Sequence, residues 1–369
     1  MKNYFIIQRF VFAFLALVIV LFGANANAQN NTALKGSVQR VKVHGKSLEG
    51  NLDGDSPDRA VSIYLPPGYK KNTTKRYPVV YFLHGYTDSD SQWYGFQKHW
   101  INLPHLVDSV FTANSQVSEM IFVTPNAYTK FQGSFYSNSI TTGNWEDFIA
   151  KELVAYIDSH YRTIAQAASR GLAGHSMGGY GSMRIGQKYP EVFSSVYLLS
   201  PCCLLATENN TPQYASRIAA MDSAMNAVKT TADLEKANFF VKAGFATAAA
   251  WAPNPSKPPF YLDLPFVNGQ RNPVIEAKMA ANMPITTLDQ YIYNLKQLNG
   301  FAFDAGTRDE SIAAGLKVLD SALNNYGLKH DFAIYEGDHL NRIGERIVTQ
   351  LLPFFTTHLS SAATKKSSR

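Results

Sequence analysis

Cysteine is nearly missing from this chain: two residues among 369, and they are neighbours, Cys202 and Cys203. Adjacent Cα atoms lie about 3.8 Å apart, inside the ~4.4–6.8 Å that a disulfide prefers, so the expected state is two small, partly buried thiols. With no disulfide framework, stability must come from an apolar core. The cysteine–histidine spacing of a zinc site, an H-E-x-x-H helix and a phosphate-cradling glycine loop are absent as well. No metal and no organic cofactor is therefore expected. Three aspartates (Asp53, Asp55, Asp58) near Gly54 and Pro57 lack the spacing and terminal glutamate of an EF-hand, which reads as a polar turn. Charge is sparse at 17% of residues, and basic side chains are scattered except for Lys365, Lys366 and Arg369. Such a distribution offers no stripe for nucleic acid.

Long apolar runs are also lacking. A membrane span needs roughly 20 apolar residues, and the run Phe10–Phe22 falls short of that. Lys2 and Arg9 precede it, and the small residues Ala26-Asn27-Ala28 follow. A basic start, an apolar centre and an A-x-A end make a secretory signal peptide over residues 1–28. Cleavage after Ala28 removes Lys2 and Arg9, so the formal charge falls from +6 to +4. No cysteine stands at the cleavage point to carry a lipid. The expectation is an exported protein, periplasmic or secreted, with no stable membrane anchor.

What the chain does have is apolar pattern. Eight runs read as strands: 37–44, 59–65, 77–83, 120–124, 171–175, 194–199, 301–304 and 331–335. From the third onward they are nearly continuous apolar stretches, as strands covered on both faces of a parallel sheet must be. The first two alternate and suit an antiparallel edge. Between strands, Trp145, Ile149, Leu153 and Ile157 recur at helical spacing, as do Ile312, Leu316, Leu319, Leu323 and Tyr326. The fold class is α/β: a mostly parallel eight-stranded sheet flanked by helices. The alternation breaks over residues 201–298, where helical segments (about 213–228, 231–250 and 287–298) surround a proline-rich patch at 253–259. So long a loop without structure is improbable, which predicts a helical cap inserted between the sixth and seventh strands. The division is thus a core over 29–200 and 299–359, a cap over 201–298, and a disordered tail over 360–369.

The chemistry lies in Gly174-His175-Ser176-Met177-Gly178, a G-x-S-x-G sequence directly after the fifth strand. Its glycines permit a sharp strand-to-helix turn that lifts the Ser176 hydroxyl to the sheet edge. A bland glycine-rich turn is the competing reading. A serine needs a base, and the base needs a carboxylate to fix its tautomer. Of nine histidines, His339 directly follows the eighth strand in a polar loop. His84 and His175 read as structural, and the remainder as solvated or packed. Two aspartates end the seventh strand: Asp309 follows a glycine turn and is favoured, and Asp304, still in the strand, is the reserve. The order Ser176, Asp309, His339 is that of α/β-hydrolases. The oxyanion donors expected are the N–H groups of Met177 and Tyr86, with Gly85 next in line.

These segments resemble a known family. Ser62–Tyr69, Tyr77–Gly85, Asp158–Thr163, Gly174–Tyr180, Asp304–Asp309 and Gly337–His339 are similar to the esterase D-like, feruloyl esterase-like family of α/β-hydrolases. That resemblance implies the α/β-hydrolase fold, with Ser176, Asp309 and His339 as nucleophile, acid and base. It implies a serine carboxylic-ester hydrolase acting on small or polysaccharide-linked esters of acetyl or feruloyl type. The insert 201–298 does not align, which leaves the substrate open. An acyltransferase with a sugar acceptor would use the same triad. A non-catalytic carbohydrate-binding protein would instead use exposed aromatics such as Trp93, Tyr94 and Trp100.

Overall fold

A computed structural model describes residues 33–205, 212–267 and 269–362. The leader over 1–28 and tail residues 363–369 lie outside the described residues. From Lys35 onward the chain forms one compact unit around an eight-stranded sheet.

The strands are β1 (Ser37–His44), β2 (Asp58–Leu65), β3 (Val79–Leu83), β4 (Ile121–Pro125), β5 (Arg170–His175), β6 (Ser195–Leu199), β7 (Gly300–Gly306) and β8 (Asp331–Tyr335). Their spatial order is β1-β2-β4-β3-β5-β6-β7-β8. Only β2 runs against its neighbours, pairing antiparallel with β1 and β4; every pair from β4 onward is parallel. β3 starts two residues later than the apolar run predicts. Pro78 has no N–H for the ladder, and Tyr77 instead makes an isolated bridge to Thr163.

The period-two geometry of strands feeds two separate cores. Val79, Tyr81, Leu83, Leu172, Val196 and Leu198 point into one, whereas Val80, Phe82, Ala173, Tyr197 and Leu199 point into the other. Helix α1 (Leu103–Ala113) and the helical segment 343–358 cover the second. Helix α2 (Met177–Lys188) and segment 145–160 cover the first.

Residues 201–298 carry α3 (Pro212–Ala227), α4 (Thr231–Lys236), α5 (Phe239–Trp251), α6 (Pro273–Ala281) and α7 (Leu288–Leu295). The predicted helix 231–250 is split because the Asn238 side chain accepts the Val241 N–H and caps a new helix. Helix α6 was not foreseen, although Asn272 and Pro273 carry an N-cap and N1 signature. The insert is tied to the core: Ser139 Oγ donates to the Ala249 carbonyl at 2.6 Å, and Tyr180 OH donates to that of Asn282 at 2.8 Å. Helix α8 (Glu310–Asn325) then returns the chain to the first core.

Ser360, the first residue of the expected disordered tail, is instead held to the core. Ser360 N–H donates to the Ala168 carbonyl at 2.7 Å, and the Ser360 carbonyl accepts the Ser169 hydroxyl at 2.7 Å.

In the polar turn before β2, Asn51 Oδ1 accepts the Asp55 N–H at 2.9 Å, and Asp55 Oδ2 accepts that of Lys130 at 3.1 Å. Burial and the neighbouring Asp55 carboxylate push Asp53 up to about 7. The unfolded chain releases that proton near pH ~4. The native state therefore holds the extra proton between the two values, and the stability it confers is lost as pH rises toward 7. Asp53→Asn, which keeps the neutral shape, is expected to raise Tm at pH 8 by about 2 °C or more and to leave it unchanged at pH 4. Equal gains at both pH values in a thermal melt would rule out the charge as the cause.

Candidate active site

The turn between β5 and α2 is tight. A Cβ on Gly178 would stand 1.9 Å from the Leu83 carbonyl oxygen, so no other residue fits. Ser176 sits at φ 56° and ψ −115°, a conformation that L-residues avoid and that structures retain where function needs it. Its N–H is anchored on the Leu199 carbonyl at 3.0 Å. The hydroxyl is thereby held at the carboxyl end of the sheet.

His339 comes to it from the loop after β8. Asp338 Oδ1 accepts the Leu340 and Asn341 N–H groups, and Asn341 Oδ1 accepts that of Asp338, which closes the loop on itself. Those two N–H donors hold the Asp338 carboxyl below its ordinary range. His339 Nε2 lies 2.9 Å from Ser176 Oγ, and Nδ1 lies 2.6 Å from Asp309 Oδ2. Asp309 arrives from the turn after β7, where Thr307 N–H and Arg308 N–H donate to the Tyr335 and Gly337 carbonyls at 2.8 Å each. The imidazole side chain is 35% exposed and the carboxylate 13%, so the serine end faces solvent and the acid end is shielded. In this order the groups can take a proton from the hydroxyl and stabilise the resulting imidazolium.

Asp304, the reserve acid, lies elsewhere. It is fully buried, accepts the Tyr197 hydroxyl at 2.6 Å, and pairs with Arg346 at 2.7 Å. It still sits in the strand, where the pleat aims its side chain into the second core. The glycine turn at Gly306 is what carries Asp309 over the edge.

Tyr86 follows β3, and Met177 opens α2. Among the described residues neither main-chain N–H donates to a protein acceptor, which leaves both available to an oxyanion. The Gly85 carbonyl accepts His84 Nδ1–H at 2.8 Å and the Asp88 N–H at 3.3 Å, which fixes the turn after β3. His84 Nε2 accepts the Ala127 N–H at 2.9 Å, and burial lowers its pKa. His175 does more than fill the elbow: its Nε2–H donates to the His339 carbonyl at 2.9 Å. Burial, and then the neighbouring His339, lower His175 to about 4, so it stays neutral at working pH.

A cavity of about 600 Å³ opens over the serine. Tyr86, Phe135, Phe239, Phe240 and the Cys202–Cys203 pair are among its lining residues. Phe239 stands edge-on to Tyr86 at 5.5 Å, and Tyr86 is 6.0 Å from Phe135. The two phenylalanines begin α5 and are exposed, which places the insert at the cavity wall. Sequence reasoning did not single them out; a paired aromatic directly after the Asn238 cap was the signal available. The aromatics that a sugar platform would use divide. Trp93 and Tyr94 are buried, their polar atoms donating to Asp88 and to the Phe122 carbonyl, and Trp100 alone of the three is exposed. Among the described residues, no three histidine, cysteine or acidic side chains cluster to hold a metal.

This chain is similar to several known proteins. An esterase of Mycobacterium tuberculosis is 31% identical over 140 residues, 37% of this chain and 27% of that protein. An endo-1,4-beta-xylanase/feruloyl esterase of Xylanibacter ruminicola is 28% identical over 181 residues, 48% of this chain and 23% of that protein. The matches thus span about a quarter of the length of these relatives. Among solved structures, a ferulic acid esterase superposes with a TM-score of 0.60 at 21% identity, covering 88% of this chain and 98% of that one. That likeness shows the α/β-hydrolase fold. The family described as "Putative esterase" matches residues 56–342. With that match over most of its length, the chain belongs to this esterase family of the α/β-hydrolase superfamily.

Proposed function

We propose that the protein is a serine carboxylic-ester hydrolase working through an acyl-enzyme, on esters of short or aromatic acids carried by small alcohols or polysaccharide. The observation that carries this reading is the unbroken chain Ser176–His339–Asp309, opening into a cavity with an aromatic wall. Ser176 Oγ attacks the ester carbonyl while His339 Nε2 takes its proton. Asp309 holds Nδ1–H and offsets the charge of the imidazolium. The Met177 and Tyr86 N–H groups receive the oxyanion, a role whose loss typically costs about 10²–10³ in turnover. His339 then protonates the leaving alcohol, and water reverses the sequence to free the acid. The N-terminal pattern supports work outside the cytoplasm, which requires a mature protein beginning at Gln29.

Tyr86, Phe135 and Phe239 line the cavity beside Ser176 and supply ring faces and edges against which an aromatic acyl group can bury more surface than an acetyl group. Relatives with feruloyl esterase activity in their names support the same class. The test is a hydrolysis profile across acetyl, butyryl, feruloyl and palmitoyl esters. Acetyl and feruloyl esters are expected to turn over faster than palmitoyl, and the reverse order overturns the assignment. Phe239→Ala is expected to lower kcat/KM for the feruloyl ester by about tenfold and to leave the acetyl ester unchanged. Equal losses on both would place Phe239 outside the acyl subsite.

A further inference from the structure

The turn from Ser200 to Leu204 follows β6 and runs directly beneath the nucleophile. Cys202 N–H donates to the Ser176 carbonyl at 3.2 Å, and a Cβ on Gly179 would meet Pro201 Cβ at 2.8 Å. Two of its residues hold left-handed backbone without being glycine: Ser200 at φ 39° and Cys203 at φ 63°. Such conformations persist only where their surroundings impose them. Their effect here is to bring the two sulfurs together. Cys203 Sγ–H donates to Cys202 Sγ at 2.8 Å, both residues are half-buried free thiols, and both line the cavity that holds Ser176 and His339. No step of ester hydrolysis uses either sulfur.

We propose that Cys202 and Cys203 form a redox-controlled site, in which a disulfide oxidant closes the pair into a vicinal disulfide and thereby shuts down Ser176. The hydrogen bond from Cys203, and then burial, push the Cys202 thiol well up, so it stays protonated and the first attack falls to Cys203. The Cys203 thiolate attacks one sulfur of the oxidant RS–SR, and RS⁻ leaves and takes a proton. The Cys202 thiol then gives up its proton, its sulfur displaces the second RS⁻ from Cys203, and that group leaves as RSH. Two protein thiols are oxidised, and one external disulfide is reduced to two thiols.

Closure has a structural cost that makes it a switch. Neighbouring Cα atoms are about 3.8 Å apart, below the ~4.4–6.8 Å a disulfide prefers, so the peptide between them must turn. Turning that peptide displaces the Cys202 Cα and, through it, the Cys202 N–H that the Ser176 carbonyl accepts, at a serine whose own geometry is already strained. A bond strained in this way is also readily reduced, which lets the site reopen when the oxidant is gone.

The experiment treats the purified protein with excess glutathione disulfide. It reads intact mass, together with the rate at which a fluorophosphonate labels Ser176. Expected is a mass lower by two hydrogens, labelling slower by about tenfold or more, and recovery of both on adding a dithiol. Cys203→Ser, compared with its own reduced form, is expected to show neither the mass loss nor the slowing, whereas Cys202→Ser is expected to stop at a glutathione adduct on Cys203 and never to lose the two hydrogens. In the unsubstituted protein, an unchanged mass, a lasting glutathione adduct without ring closure, or ring closure with undiminished labelling overturns the proposal. The labelling arm rests on the serine-hydrolase reading above. If the reduced protein takes no label at all, that reading falls, and the mass alone decides whether the dithiol closes.

Discussion

Ser176→Ala is expected to cut kcat on p-nitrophenyl acetate by about 10⁴–10⁶, leaving the fold intact. The size follows from the arrangement, because removing the hydroxyl leaves His339 with no proton to take and the acyl group with no covalent carrier. In other serine hydrolases loss of the nucleophile or the base costs on the order of 10⁶, and what remains comes from oxyanion donors and binding. Alanine at φ 56° carries a strain similar to that of serine, so Tm should move little. A loss smaller than tenfold would place the chemistry elsewhere in the molecule.

The second large effect separates the two aspartates that end β7. Asp309→Asn keeps the shape but offers His339 Nδ1 an amide, favouring the wrong tautomer; the expected loss in kcat is about 10⁴. Asp304→Asn should do the opposite. The Asp304 side chain is fully buried and that of Arg346 only 12% exposed, so the change strands a cation away from water. Breaking a buried pair in this way costs about 3–5 kcal/mol, a fall in Tm on the order of 10 °C. The surviving folded fraction should keep its kcat. Thermal melts and turnover on both variants read this double dissociation, and catalytic collapse in Asp304→Asn would reverse the assignment.

Much of this architecture is written in local patterns. Continuous apolar runs such as Val79–Leu83 can be read as strands because a parallel sheet hides both faces, so the run is unbroken where an exposed face would alternate. Ser176, Asp309 and His339 stand out for a related reason. Each sits just past a strand, and parallel strands bring such positions to one rim. Asp304 and Asp309 could not be parted by composition; what parts them is the turn at Gly306, which moves one to the rim and leaves the other under the sheet. The insert was less legible. Asn238 interrupts what reads as one helix, and α6 buries only Ile275, so no apolar stripe marks it in the chain. Burial of single aromatics is decided by tertiary packing, so Trp93 and Trp100 look alike in the chain and differ entirely in the fold. Phe239 and Phe240 acquire meaning only once α5 is laid beside Tyr86.

One contact bears on how the machinery tolerates thermal motion. The His175 imidazole, a single peptide away from the nucleophile, grips the main chain of His339, while Asp309 grips the ring of that residue from the far side. If the elbow drifts, its attached histidine drags the neighbouring loop along, and the oxygen-to-nitrogen separation stays nearly constant. Breathing of the sheet rim is thereby converted into a shared displacement of both partners, and the alignment needed for proton transfer outlasts fluctuations of either strand end.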